Sequence, residues 1–143
     1  MDKELVKLFK ESSDEEIYDY LDFKKPGIQH GVYKNLRQGK YEIQSRLDLH
    51  RHTVEQARNA LWQFLRDCEV HNVRCALVTH GKGEGRLQPA KLKSCVNHWL
   101  RQFNSVLAFH TAQRRDGGMG ATYVLLKKSE TEKVKTAEKL SKK

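Results

Sequence analysis

Asp48, His50 and His80 are the residues of this chain best suited to chemistry. They fall in two short motifs, Leu47-Asp48-Leu49-His50 and Thr79-His80-Gly81-Lys82-Gly83. Each motif ends an apolar run that reads as a strand, and each precedes a run with helical spacing. Strands entered in the same direction end at one sheet edge, and in α/β proteins ligands bind there. A carboxylate and two imidazoles meeting at that edge can perform acid/base or metal chemistry near neutral pH. Asp48 and His50, two apart on a strand, share a face. A carboxylate in such an apolar run needs a definite partner. As a site residue Asp48 orients an imidazole, that of His50 or His80. As a structural residue it bonds backbone or the N-terminus of the next helix. A lone His at a strand end is commonly just a polar terminus, but two at equivalent ends beside an Asp favour function. His110 ends a later strand and is a weaker candidate for the same edge. His52 reads as a helix-entry residue.

Two glycine-rich segments accompany these groups. Gly81, Gly83 and Gly85 let backbone N–H groups approach a phosphate closely, and Lys82 and Arg86 add positive charge. Gly117, Gly118 and Gly120 follow Arg114 and Arg115 in the same style. Either segment alone also reads as a simple loop. Three Gly with two Arg exceed what a plain hairpin needs, so the second is expected to clamp a phosphate-bearing ligand at this edge.

The elements that must position these residues are legible from periodicity. Residues 43–50 read as the first strand. Thr53 then caps a helix, with Gln56 completing a capping box. Val54, Ala57, Leu61, Phe64, Leu65 and Cys68 form its apolar stripe. Val73 to Thr79 is a nearly continuous apolar run, typical of a buried parallel strand. A second helix starts near Pro89 and runs to Phe103. Val106 to Thr111 and Ala121 to Lys127 are two further strands. The Arg- and Gly-rich link between them has no room for a helix, which predicts an antiparallel hairpin. The order βαβαββ predicts a two-layer or three-layer α/β domain with a mixed four-stranded sheet.

The chain of 143 residues has a formal net charge of +9, unevenly placed. Residues 1–23 hold three Lys and eight acids; the rest hold 24 basic and 10 acidic residues. A basic body of this kind points to nucleic acid as partner, against the alternative of a surface tuned for solubility. Four segments follow: an acidic amphipathic arm (1–23), a basic connector (24–42), a compact domain (43–128) and a basic, disordered tail (129–143). In the connector, Lys34, Arg37 and Lys40, with Arg46 beyond it and with Tyr33 and Tyr41 between, suit phosphates with occasional stacked bases. A plain solvated linker is the alternative. Cys68, Cys75 and Cys95 have no metal or redox spacing and read as small buried hydrophobes of a reducing compartment. No apolar run approaches a membrane span and no signal-peptide layout is present, so a cytoplasmic location is expected.

These motifs resemble the Smr, or small MutS-related, nuclease domain. The resemblance covers roughly Gly39 to Lys128. It rests on Leu47-Asp48-Leu49-His50, Thr53-Val54-Glu55-Gln56-Ala57, His80-Gly81-Lys82-Gly83, Ala108-Phe109-His110 and Gly117-Gly118-Met119-Gly120-Ala121-Thr122. The arrangement looks most like the small stand-alone bacterial Smr endonucleases. The resemblance implies a fold similar to the C-terminal domain of a bacterial translation initiation factor, and endonuclease activity on DNA or RNA. The family usually places Gly after its first His, where this chain has Arg51. A Gly takes positive φ at little cost and Arg only with strain. Either the turn is built differently, or Arg51 adds a basic group at the site.

The expected function is therefore cleavage of phosphodiester bonds, with Asp48, His50 and His80 transferring protons. The substrate lies against Arg51, Gly81, Lys82, Gly83, Arg86, Arg114, Arg115, Gly117, Gly118 and Gly120. On RNA, one His deprotonates the 2′-hydroxyl and the other protonates the leaving oxygen, without metal. On DNA a water must attack, and a divalent cation such as Mg or Mn held by Asp48 and a His is then expected. The metal question stays open at this point. The competing reading is a non-catalytic module that binds nucleic acid or the ribosome.

Overall fold

The computed structural model describes residues 20–81 and 91–128. The expectations for the arm up to residue 19, for Lys82, Gly83, Gly85 and Arg86, for the helix start at Pro89 and for the tail from 129 lie outside the described residues. The described elements are β1 (Asp22–Lys24), α1 (His30–Arg37), β2 (Ser45–Asp48), α2 (Val54–Val70), β3 (Cys75–Thr79), α3 (Lys91–Gln102), β4 (Val106–Thr111) and β5 (Ala121–Leu126).

The sheet is mixed and has five strands in the order β1-β4-β5-β3-β2. β2 and β3 are parallel, with Asp48 opposite Thr79. β5 runs antiparallel to both β3 and β4, so the hairpin forms as its short link requires. The expected fourth strand count is corrected to five by β1, which pairs antiparallel with β4. Three residues are too few to show a period. β1 is held instead by its ladder and by Phe23, whose ring meets Phe109 edge-on at 5.1 Å.

Layers form on both faces. The stripe of α2 (Ala57, Leu61, Leu65) and that of α3 (Val96, Leu100) cover Ala76, Val78, Phe109, Val124 and Leu126. Every residue of β5 is buried, so its other face also needs a cover. α1 supplies it, setting Tyr33 and Leu36 on Leu77, Ala108, Tyr123 and Leu125. The connector thus folds onto the sheet as part of the same body. α1 ends where Gly39 takes φ +69°. A side chain at Gly39 would place Cβ 2.5 Å from Arg115 Nη2 and 2.6 Å from the Tyr123 hydroxyl. That glycine lets the helix end, the hairpin loop and the sheet come together. At the other end of the central ladder, the Thr53 hydroxyl accepts from Gln56 N while the Gln56 side chain accepts from Thr53 N. This capping box fixes the entry into α2 directly after the first motif.

Candidate active site

The parallel pairing of β2 and β3 brings both motifs to one edge. β2 ends at Asp48, and Leu49 N still reaches Thr79 O at 2.7 Å. The chain then turns, with His52 N donating to Leu49 O at 3.0 Å. Arg51 is the third residue of that turn and has φ +70°, the conformation a type II turn demands there. Arg51 therefore occupies a backbone state that favours glycine. The Asp48 carboxylate closes the turn by accepting from His50 N at 2.8 Å. Its partner is the backbone of His50, and the bond sets where the exposed imidazole starts from. That imidazole lies beside Gly81, where an added Cβ would sit 4.0 Å from His50 Cδ2. Gly81 has φ +86°.

His80 faces the other way. It is only 3 % exposed, and its ring points into the layer under α2 and α3. Nδ1 lies 2.9 Å from Gly81 O, and Nε2 lies 2.9 Å from Thr122 Oγ1. A carbonyl only accepts, so this network assigns the proton to Nδ1 and makes Nε2 the acceptor from the Thr122 hydroxyl. Burial pushes the His80 pKa down to about 4, and the nearby Lys93 cation adds to this, while the Gly81 carbonyl opposes it. The imidazole is neutral above that range, with both nitrogens engaged. His80 N and Gly81 N both donate to Gly120 O at 3.0 Å. The second motif is thereby stitched to the end of the β4–β5 loop.

That loop consists of two single turns, Arg114–Asp116 and Gly118–Gly120. Gly117 has φ +113°, and a Cβ there would approach the Ala121 Cβ to 2.9 Å. Gly118 has φ +55° with open space around it. Arg115 is committed to structure: its Nη2 donates to Gly39 O at 2.8 Å and Gln38 O at 3.3 Å, and Nε lies 3.6 Å from Asp116. Asp116 in turn accepts from the Tyr123 hydroxyl. Arg114 is exposed.

The structure thus joins Asp48, His50 and Gly81 at the surface, and His80, Gly81 and Gly120 beneath it. His110 stands apart, on the α1 face of β4, with Nδ1 2.7 Å from Thr111 O and its ring 6.0 Å from that of Tyr33. The reading of Tyr33 as a stacking residue is corrected. It is buried and its hydroxyl donates to Asp22; burial and the carboxylate push its phenol well above the usual range. Two residues of the site were not anticipated. Thr122 had no signal beyond its place in a motif. Lys93, 2 % exposed, had one, since it is spaced by three and seven from Val96 and Leu100 of the apolar stripe. Among the described residues, no group of three or more His, Cys, Asp or Glu side chains is placed to hold a metal ion. The three cysteines are free and buried, which pushes the Cys75 thiol up to about 11. No helix among the described residues is long and apolar enough to cross a membrane.

Comparison with known proteins bears on the family and the fold. The family model for the Smr domain matches residues 47–127. A probable DNA endonuclease SmrA of Escherichia coli K12 is 38 % identical over 123 residues, covering 85 % of this chain and 66 % of that protein. A ribosome rescue factor SmrB of Yersinia enterocolitica is 39 % identical over 102 residues, covering 71 % of this chain and 55 % of that protein. The chain thus spans between about half and two thirds of the length of these curated relatives. Among solved structures, YdaL, a stand-alone small MutS-related protein from Escherichia coli, superposes with a TM-score of 0.70 at 38 % identity. That match covers 78 % of this chain and 86 % of YdaL. The Smr domain of Thermus thermophilus MutS2 gives a TM-score of 0.53 at 28 % identity, covering 58 % of this chain and 98 % of that domain.

Proposed function

The chain belongs to the Smr domain family, and from that premise we propose that it is an endonuclease cutting phosphodiester bonds of nucleic acid at the edge where β2 and β3 end. The observation that carries this reading is the exposed His50 imidazole, set beside Gly81 by an Asp48-closed turn in a strongly basic protein. Such an imidazole is a proton acceptor near neutral pH. RNA is the favoured substrate, because its 2′-hydroxyl supplies the nucleophile and only proton transfers are then needed. His50 takes the 2′-hydroxyl proton, the 2′-oxygen attacks the adjacent phosphorus, and the bond to the 5′-oxygen breaks. The leaving oxygen takes its proton from solvent, since both His80 nitrogens are engaged. The products are a 2′,3′-cyclic phosphate and a 5′-hydroxyl. His80 then serves by holding Gly81 and Gly120, and Arg51, Gly81 and Arg114 face the substrate. A DNA route would ask Asp48 and His50 to hold a divalent cation that activates water.

A second reading is favoured by the same burial of His80: a module that binds RNA on the ribosome without cutting it. One relative's name, ribosome rescue factor, fits either reading. Incubation of the pure chain with labelled single- and double-stranded DNA and RNA, with and without chelator, separates them. Chelator-resistant cleavage of RNA to cyclic ends, lost in His50→Ala, supports the proposal. Binding without cleavage by the parent protein supports the module.

A further inference from the structure

Much of the positive charge of the described fold lies in the segment that carries α1. Residues 24–46 hold six Lys or Arg and one acid. α2 and α3, on the opposite face of the sheet, together hold five basic and three acidic residues. α1 turns this charge outward. Tyr33 and Leu36 face the sheet, while Lys34 and Arg37 are exposed, and Lys40 is exposed just beyond the helix end.

The helix is also fastened to the candidate site. Gln113 Nε2 donates to Arg37 O at 2.7 Å, and Arg115 holds the carbonyls of Gln38 and Gly39. Gln113 and Arg115 belong to the loop that ends in Gly120, whose carbonyl receives the N–H groups of His80 and Gly81. The exposed Arg114 lies in that same loop, next to Gln113.

We infer that the outer face of α1 is a track for the sugar–phosphate strand on one side of the cut, with Lys34, Arg37, Lys40 and Arg114 on its phosphates. The inference deepens the proposed function and rests on it for the position of the cut. The track is independent of base sequence. Tyr33, the aromatic ring that α1 itself carries, is turned inward onto Asp22, and lysine and arginine on phosphates carry no base information.

The test is made on the full chain with Lys34, Arg37 and Lys40 all changed to Gln, and with Arg58→Gln/Arg66→Gln on α2 as the comparison. Fluorescence anisotropy gives Kd for a fluorescent RNA single strand of about 30 nucleotides across a salt series. Each phosphate contact on a single strand contributes ~0.7 to the slope of log K against log salt, so the triple variant's slope should fall by about 2. Its Kd at ~0.1 M salt should rise 10- to 100-fold. The affinity gained on lengthening the RNA from about 6 to about 30 nucleotides should shrink by the same factor. The α2 variant should keep the parental slope. A parental slope in the triple variant, or an equal loss in the α2 variant, overturns the track. Because binding is read without cleavage, a parent that binds and does not cut overturns the endonuclease reading alone.

Discussion

Acid should weaken this fold through His80, and the size of the effect follows from its surroundings. Burial holds the folded-state pKa at about 4, against an ordinary value of 6.5. A depressed histidine pKa means that the unfolded chain binds the proton more readily. The stabilising contribution is therefore complete above pH 6.5 and is lost as the pH falls towards 4. Linkage between those two values gives about 3 kcal/mol of lost stability by pH 4. For a domain of this size that is a large share of the total.

Other groups also titrate in acid, so the measurement is a difference. Urea unfolding of the parent and of His80→Gln is compared from pH 8 to pH 4. At pH 8 the variant should be weaker by ~1–3 kcal/mol, the scale of disturbed buried hydrogen bonds. That gap should close by about 3 kcal/mol on acidification, because Gln carries no titrating group, and the order of stability should then meet or cross. In parallel, the His80 ring proton signal in NMR should show no titration step above pH 5. A step near pH 6.5, or a gap that stays constant with pH, would refute the buried neutral imidazole. It would restore His80 as a proton-transfer group.

Four further outcomes are expected. His50→Ala should cut cleavage at least ~100-fold, the scale of a positioned base, with an unchanged melting temperature; a stable, fully active variant removes His50 from the mechanism. Arg51→Gly should stabilise the fold by ~1 kcal/mol, since a left-handed non-glycine residue is strained, raising Tm by roughly 5 °C; anisotropy on the same variant shows whether that gain costs RNA affinity. Gly39→Ala should destabilise by at least ~2 kcal/mol through overpacking and strain, and limited proteolysis should then find the chain near α1 first. Gly117→Ala should cost more in urea unfolding than Gly118→Ala, because only the former drives a Cβ into Ala121.

The legible parts of this fold are those written in local pattern. Thr53 and Gln56 form the capping box that their spacing requires. The strand over Val106–Thr111 has the bounds that its apolar run gave, and its hairpin partner begins at Ala121 as expected. The parallel ends of β2 and β3 also follow from the helix between them. β1 and α1 escaped because each shows too little pattern: three residues for the one, and two buried apolar positions between Gly27 and Gly39 for the other. An indirect signal was present. The run Ala121–Leu126 has no polar alternation apart from Thr122, so both faces of that strand had to be covered. With both assigned helices on one face in the structure, the second cover comes from α1. The inward turn of His80 could not be read at all, since it depends on Thr122, Gly120 and Lys93, which are distant in sequence.

The β4–β5 loop gives a physical reason why one exposed imidazole can suffice at this edge. A catalytic base must be held to within about an ångström, because small misplacements cost ~100-fold. His50 sits in an exposed turn braced by the Asp48 carboxylate and by the His52 ring at the His50 carbonyl, and its third residue is strained. Its precision has to come from what lies against it. Gly81 lies there, fixed by its N–H on Gly120 O and by its carbonyl at His80 Nδ1. Gly120 is fixed by the turn from Gly117, and Arg115 and Gln113 in the same loop hold the end of α1. A neutral His80 suits this arrangement better than a charged one. Protonated, it would face the buried Lys93 and lose Nε2 as the acceptor for Thr122. On this reading the second motif's histidine is kept uncharged so that the first motif's histidine stays where it is needed. The rate of cleavage should then carry no ionisation of His80 while the fold is intact. An acidic limb of the rate that disappears in His80→Gln, seen while urea unfolding still reports an intact fold, would contradict that division of labour.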